Sequence, residues 1–144
     1  MTSTETPARR DHWFRAVGYG LLAEISTVVT IIAITMFYRY VFVRGLTEPS
    51  YAAFNERTGA IVGVIGGTLY TFLFARRLMP RISARFIEHG IVVAVAAIAL
   101  SVLGSIAGHQ SVPSAYILAS ALKLAAGALA GFLAAKQYAP PAGG

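Results

Sequence analysis

The stretch TGAIVGVIGGTLYTFLFA, residues 58–75, runs for eighteen residues without a charged side chain. As a helix rising 1.5 Å per residue it is about 27 Å long, close to the roughly 30 Å hydrocarbon core of a bilayer. It lacks the alternation of apolar and polar residues that a membrane barrel strand needs. Three further runs share its character. Residues 16–38 are interrupted only by Glu24 and extend toward 43, residues 90–108 carry no charge, and residues 114–135 are interrupted only by Lys123. The sequence therefore predicts an all-α fold: a polytopic membrane protein with four transmembrane helices, approximately 16–43, 58–78, 88–108 and 114–136.

Composition points the same way. Of the 144 residues 56% are hydrophobic and 12% charged, with a mean hydropathy of +0.65. A soluble domain carries about 25% charged residues, so a compact soluble fold would have a largely apolar surface. Cysteine is absent, which excludes disulfides, thiol catalysis and Cys-based metal sites. The net charge is +6, and ten of the twelve basic residues are Arg. With abundant Ala and Gly, this usage matches a GC-rich bacterial genome. The Arg residues cluster beside apolar runs, a placement that fits anionic lipid headgroups rather than nucleic acid.

Residues 1–12 are polar, contain Pro7 and show no apolar period, which predicts a disordered cytoplasmic tail. Residues 13–138 form the transmembrane domain, and 139–144 a flexible tail. The first apolar run is longer than the about 7–15 residues of a signal peptide and has no small-x-small cleavage site after it, so it is expected to remain as a membrane helix. Arg9, Arg10, Arg15, Arg76, Arg77, Arg81, Arg85 and Lys136 fall on one side of alternating helices, against Arg39, Arg44 and Arg57 on the other. By the positive-inside rule both termini are expected in the cytoplasm of a bacterial inner membrane.

The two longer connections carry signals of their own. Thr47-Glu48-Pro49 resembles a helix start, and Tyr51 and Phe54 are three apart, so 49–57 reads as a short interfacial helix leading into helix 2. After Pro80, the apolar Ile82, Phe86 and Ile87 interleave with Arg81, Arg85 and Glu88, which reads as an amphipathic opening of helix 3 at the headgroups. Aromatic residues gather near the proposed boundaries (Trp13, Phe14, Tyr19, Phe37, Tyr38, Tyr40, Phe42, Tyr116, Tyr138), as an interfacial belt requires.

Small residues recur at helical spacing: Gly59, Gly63, Gly66 and Gly67 on helix 2, Ala94, Ala97, Ser101, Gly104 and Gly108 on helix 3, and Ser120, Gly127, Ala130 and Ala134 in one stripe with Lys123 on helix 4, with Gly127 and Gly131 a second GxxxG pair. Such stripes let backbones approach closely, either within one bundle or across a homodimer. Glu24 and Lys123 are the only ionisable residues inside the runs. Charges there are costly and are functional candidates by default; a structural pair, or snorkelling of Lys123, is the alternative. Glu24 shares a face with Gly20, Thr27 and Thr35, and Lys123 one with Ser120, Gly127 and Ala130, so both are expected to face the bundle interior, and their depths bring them within reach of each other if helices 1 and 4 are neighbours.

No catalytic, cofactor-binding or metal-binding set emerges. His12, His89 and His109 lack the spacing of metal ligands, and no nucleophile elbow, phosphate loop or dinucleotide fingerprint is present. Over 61–136 the chain resembles the small, uncharacterised four-helix integral membrane proteins of bacteria. The residues that carry this are Gly63, Gly66 and Gly67 running into Ala75-Arg76-Arg77, His89-Gly90 at the start of helix 3, and Gly127-Ala-Leu-Ala-Gly131. The resemblance implies an integral bacterial membrane protein and transfers no functional residue. The role expected is that of a non-catalytic subunit, scaffold or assembly partner in a larger membrane complex. The alternative is a small transporter or channel component using Glu24 and Lys123. Expected partners are anionic headgroups on the cytoplasmic side, at Arg76, Arg77, Arg81 and Arg85, and other membrane chains or a second copy.

Overall fold

Each apolar run is one helix. The computed structural model describes residues 12–42, 48–108 and 114–138. Helix α1 covers Trp13–Phe37 and relaxes into a π-helical turn at Tyr38–Phe42; α2 is Glu48–Leu78, α3 Phe86–Ala107 and α4 Ser114–Tyr138. All four are long and apolar enough to cross a membrane, and there is no strand among the described residues. The fold is an all-α bundle of four such helices. His109, Arg9, Arg10, Arg44 and both chain ends lie outside the described residues.

Two connections differ from the sequence expectation. The segment 49–57 is not a separate interfacial helix but the first turns of α2, which runs unbroken for 31 residues. Pro49 stands in the first turn, where its missing N–H has no helical partner to lose, and nothing between it and Thr58 breaks the ladder. At about 46 Å, α2 outruns the hydrocarbon core. At the other end Pro80 lies in a 3-10 turn, Met79–Arg81, after which Ile82 is extended. Arg85 caps α3 in a left-handed conformation with φ 57°. Helix α3 therefore starts only at Phe86, and Ile82 does not share a helical face with it. Instead Ile82 is buried with Leu78, Met79 and Val93 in the apolar core.

Around the bundle the helices follow the order α1, α2, α4, α3, so α1 and α4 occupy opposite corners and do not flank each other. The half of the bundle that the charge count assigns to the cytoplasm is sealed by small residues. Ala16, Ala75, Val93, Ala130 and Ala134 are fully buried. A Cβ on Gly20 would strike the Val93 carbonyl, Gly90 and Gly127 face each other backbone to backbone, and Gly131 lies against Phe86 and Ile87. The other half is looser. No residue of α1 beyond Thr27 is buried. There α1 stays on α2 through Thr30 and Tyr70, whose hydroxyls are 2.9 Å apart, and through a stack of Tyr38 on Phe54 at 3.8 Å. It parts from α3.

Candidate functional site

The site begins with the cost of charge in hydrocarbon. A carboxylate or ammonium at the centre of a spanning helix costs about 2.5–3.5 kcal/mol on insertion scales, so each must find a partner or water. The Lys123 ammonium donates to Glu24 Oε2 at 2.5 Å. Only 5% of the Lys123 side chain and 9% of the Glu24 side chain are exposed. The phase of each helix turns them inward: Glu24 shares its face with the buried Gly20 and Thr27, and Lys123 shares its face with the buried Gly127, Ala130 and Ala134.

Because α1 and α4 stand at opposite corners, the pair bridges the bundle diagonal between α2 and α3, and both of those helices are fitted to it. On α2, Gly67 leaves the space that the lysine stem occupies; a Cβ there would come within 2.7 Å of Lys123 Cε. On α3, the Ser101 hydroxyl donates to Glu24 Oε1 in a very short bond and accepts from Lys123 Nζ at 3.0 Å. One residue from each helix thus meets at a single point: Glu24, Gly67, Ser101 and Lys123. The condition that helices 1 and 4 be neighbours is not met, yet two long side chains close the distance.

Hydrogen bonds continue from this point toward the α3–α4 end of the bundle. Ser105 Oγ donates to Tyr116 OH at 2.8 Å and approaches the Ser101 carbonyl at 3.2 Å, and Tyr116 OH also donates to that carbonyl at 3.2 Å. Alongside this chain, where α1 leaves α3, a cleft of about 450 Å³ opens. Ile25, Val28 and Val29 line it from α1, Leu100 and Gly104 from α3, with Glu24, Ser101, Ser105 and Tyr116 as its polar groups. Val28, Val29 and Gly104 are exposed, so the cleft opens sideways on the perimeter of the bundle. Among these, Ser105 and the polar role of Tyr116 are not singled out by the sequence alone, and Gly67, one of the small residues of helix 2, is not distinguished there as the residue that faces Lys123. The signal was there in part, as Ser101 and Ser105 are the only serines of an uncharged run and stand four apart.

The other sequence-selected residues are scattered. Gly127 and Gly131 lie in the α3–α4 contact, and Gly67 and Gly90 share that kind of role. Gly59 and Gly63 have nothing among the described residues within 4 Å of where a Cβ would stand, and Gly66 meets only Val62 of its own helix. These three are half-buried and make no close interhelical approach at the Cβ position, because they lie about 40–100° around the helix from the face that Gly67 turns inward. Of the basic residues, Arg77 is exposed and Arg81 donates to Tyr19 OH with its guanidinium 5.8 Å over that ring. Arg85 stands 5.9 Å over Trp13 and pairs with Glu88 at 3.2 Å. Arg76 is half-buried and donates to Gln137 at 3.2 Å.

His89 is only 3% exposed. It lies flat against Trp13, with ring centroids 4.1 Å apart, and donates from Nδ1 to the Arg85 carbonyl at 2.9 Å. No group of His, Asp and Glu that could hold a metal occurs among the described residues. No family model, curated protein or solved structure matches the chain.

Proposed function

We propose that this multi-pass membrane protein is a non-catalytic subunit or assembly partner of a larger complex in a bacterial inner membrane. Both termini are cytoplasmic, and the basic segment with Arg76, Arg77, Arg81 and Arg85 rests on anionic headgroups. The observation that carries the reading is the open step at Gly59 and Gly63. Lipid offers no hydrophobic drive for association, so helices join where small residues permit close contact, and at neither glycine does another described helix come within 4 Å of the Cβ position. A second helix, from another chain or another copy, fits there without displacing anything. The decisive variant is Gly63→Leu, whose Cβ has no atom of another described helix within 4 Å. Mild solubilisation of membranes should release the wild-type chain in an assembly, and Gly63→Leu as a single chain of unchanged thermal stability. A wild-type chain that emerges alone, or an assembly indifferent to the substitution, overturns the reading.

A second reading, a small transporter or channel component, is favoured by one observation: Glu24, half of the buried pair, borders the open cleft. It requires flux in reconstituted vesicles that Glu24→Gln abolishes.

A further inference from the structure

The cleft between α1 and α3 combines a lipid-facing mouth with a few polar groups that converge at one end, the pattern of a small-molecule site. Its volume of about 450 Å³ equals roughly fifteen waters at about 30 Å³ each, so it takes a body of about a dozen non-hydrogen atoms. We propose that it binds a neutral, membrane-dissolved alcohol: an apolar chain or ring carrying one hydroxyl.

The charge of the ligand follows from the pair. Glu24 and Lys123 sum to zero and are bonded to each other, so the floor of the cleft carries no net charge to hold an ion. A cation approaching Glu24 meets the Lys123 ammonium behind it, and an anion meets the carboxylate first. The mouth, bounded by Val28, Val29 and Gly104, lies on the perimeter of the span, where a charged molecule must itself leave water to reach it.

The head group follows from where the protons are. Ser101 gives its proton to Glu24, Tyr116 gives its proton to the Ser101 carbonyl, and Ser105 shares its proton between Tyr116 OH and that carbonyl. Every hydroxyl proton at the site is committed, while the hydroxyl oxygens and the Glu24 carboxylate keep lone pairs free. The unused capacity is acceptor capacity, so the ligand must donate. A hydroxyl does so without disturbing the chain of bonds; a ketone of the same size must break one of them. Such binding stands whether or not the chain joins a larger complex, and whether the molecule is carried or only held.

The test uses the full chain in phospholipid nanodiscs with a photoactivatable dodecanol, the labelled peptides being identified by mass spectrometry. Labels should fall around Val28 and Val29 on α1 and Gly104 on α3. They should be competed by 1-dodecanol about tenfold better than by 2-dodecanone, the factor of one lost hydrogen bond, and least by dodecylammonium or dodecanoate. Gly104→Leu fills the cleft from a position with nothing within 4 Å and should remove the labels, while Gly18→Leu, equally uncrowded but at the far end of α1, should keep them. Tyr116→Phe preserves the shape and should narrow the preference for alcohol over ketone. Labels spread evenly over the lipid-facing surface, labels that survive Gly104→Leu, stronger competition by the ammonium, or an undiminished alcohol preference in Tyr116→Phe would each overturn the proposal.

Discussion

Lys123 and Glu24 bond at 2.5 Å although the helices that carry them stand at opposite corners of the bundle. The contact is between side chains alone, so it fixes the bundle diagonal without any backbone approach. Removing one member leaves the other charge buried and unpaired, which costs about 3–5 kcal/mol in a protein interior. Glu24→Gln and Lys123→Met should each lower stability by an amount of that order, and the double variant by less than the sum. Unfolding of the four proteins in detergent, read as a double-mutant cycle, checks this; strictly additive losses would refute the coupling.

The same substitution should have opposite signs at different glycines. Gly127→Ala puts a methyl against the Gly90 backbone, and Gly131→Ala puts one 2.5 Å from the Phe86 carbonyl. Overpacking of this kind costs about 1–3 kcal/mol. Gly59→Ala and Gly104→Ala meet nothing and should gain up to about 1 kcal/mol from helix propensity. Thermal unfolding of the alanine series separates the two groups.

The four arginines should divide by what they touch. Arg77, Arg81 and Arg85 are exposed, the last two held over aromatic rings of α1. Their replacement by Gln should weaken retention of anionic lipid, about 1 kcal/mol for each; Arg77→Gln should leave the melting temperature unchanged, whereas Arg81→Gln and Arg85→Gln also lose their contacts to Tyr19 and Trp13 and should lower it. Arg76 is tied to Gln137 across α2 and α4, so Arg76→Gln should lower the melting temperature as well. Mass spectrometry of lipids retained by the purified variants, beside their melting curves, distinguishes the pattern.

Orientation is testable because the chain has no cysteine of its own. A cysteine at Ser83 should react in intact cells only with membrane-permeant thiol reagents, while one at Ser50 should react with impermeant reagents too. The reverse labelling would place the basic segment outside.

The sequence made the four helices and the two intramembrane charges legible for one reason: in an uncharged run, a charge or a break stands out against its surroundings. It also gave the phase of Glu24 and Lys123, since small neighbours at three and four residues mark the inward face. The order of helices around the bundle was not legible, because which helix flanks which depends on tertiary contacts that no single run encodes. Nor was the division between Gly63, which lies at the edge of the contact, and Gly67, which faces Lys123. Four residues advance the face by about 40° at 3.6 residues per turn, enough to move a position from the contact to its edge. The unbroken α2 was misread because Pro49 signals a start, and a start does not say how far a helix runs. Ser105 and Tyr116 acquire their chemistry only when α4 folds back on α3, and the spacing of Ser105 from Ser101 is the one sign of it in the sequence.

The diagonal pair also sets an order of events at the ribosome. Glu24 belongs to the first of these four helices to be made and Lys123 to the fourth, 99 residues later. At about 5–20 residues per second, α1 holds its carboxylate in the membrane for roughly 5–20 s before the lysine that neutralises it has been translated. A chain cut short before α4 keeps that carboxylate without its counter-ion, so the same bond that closes the finished bundle marks an unfinished one.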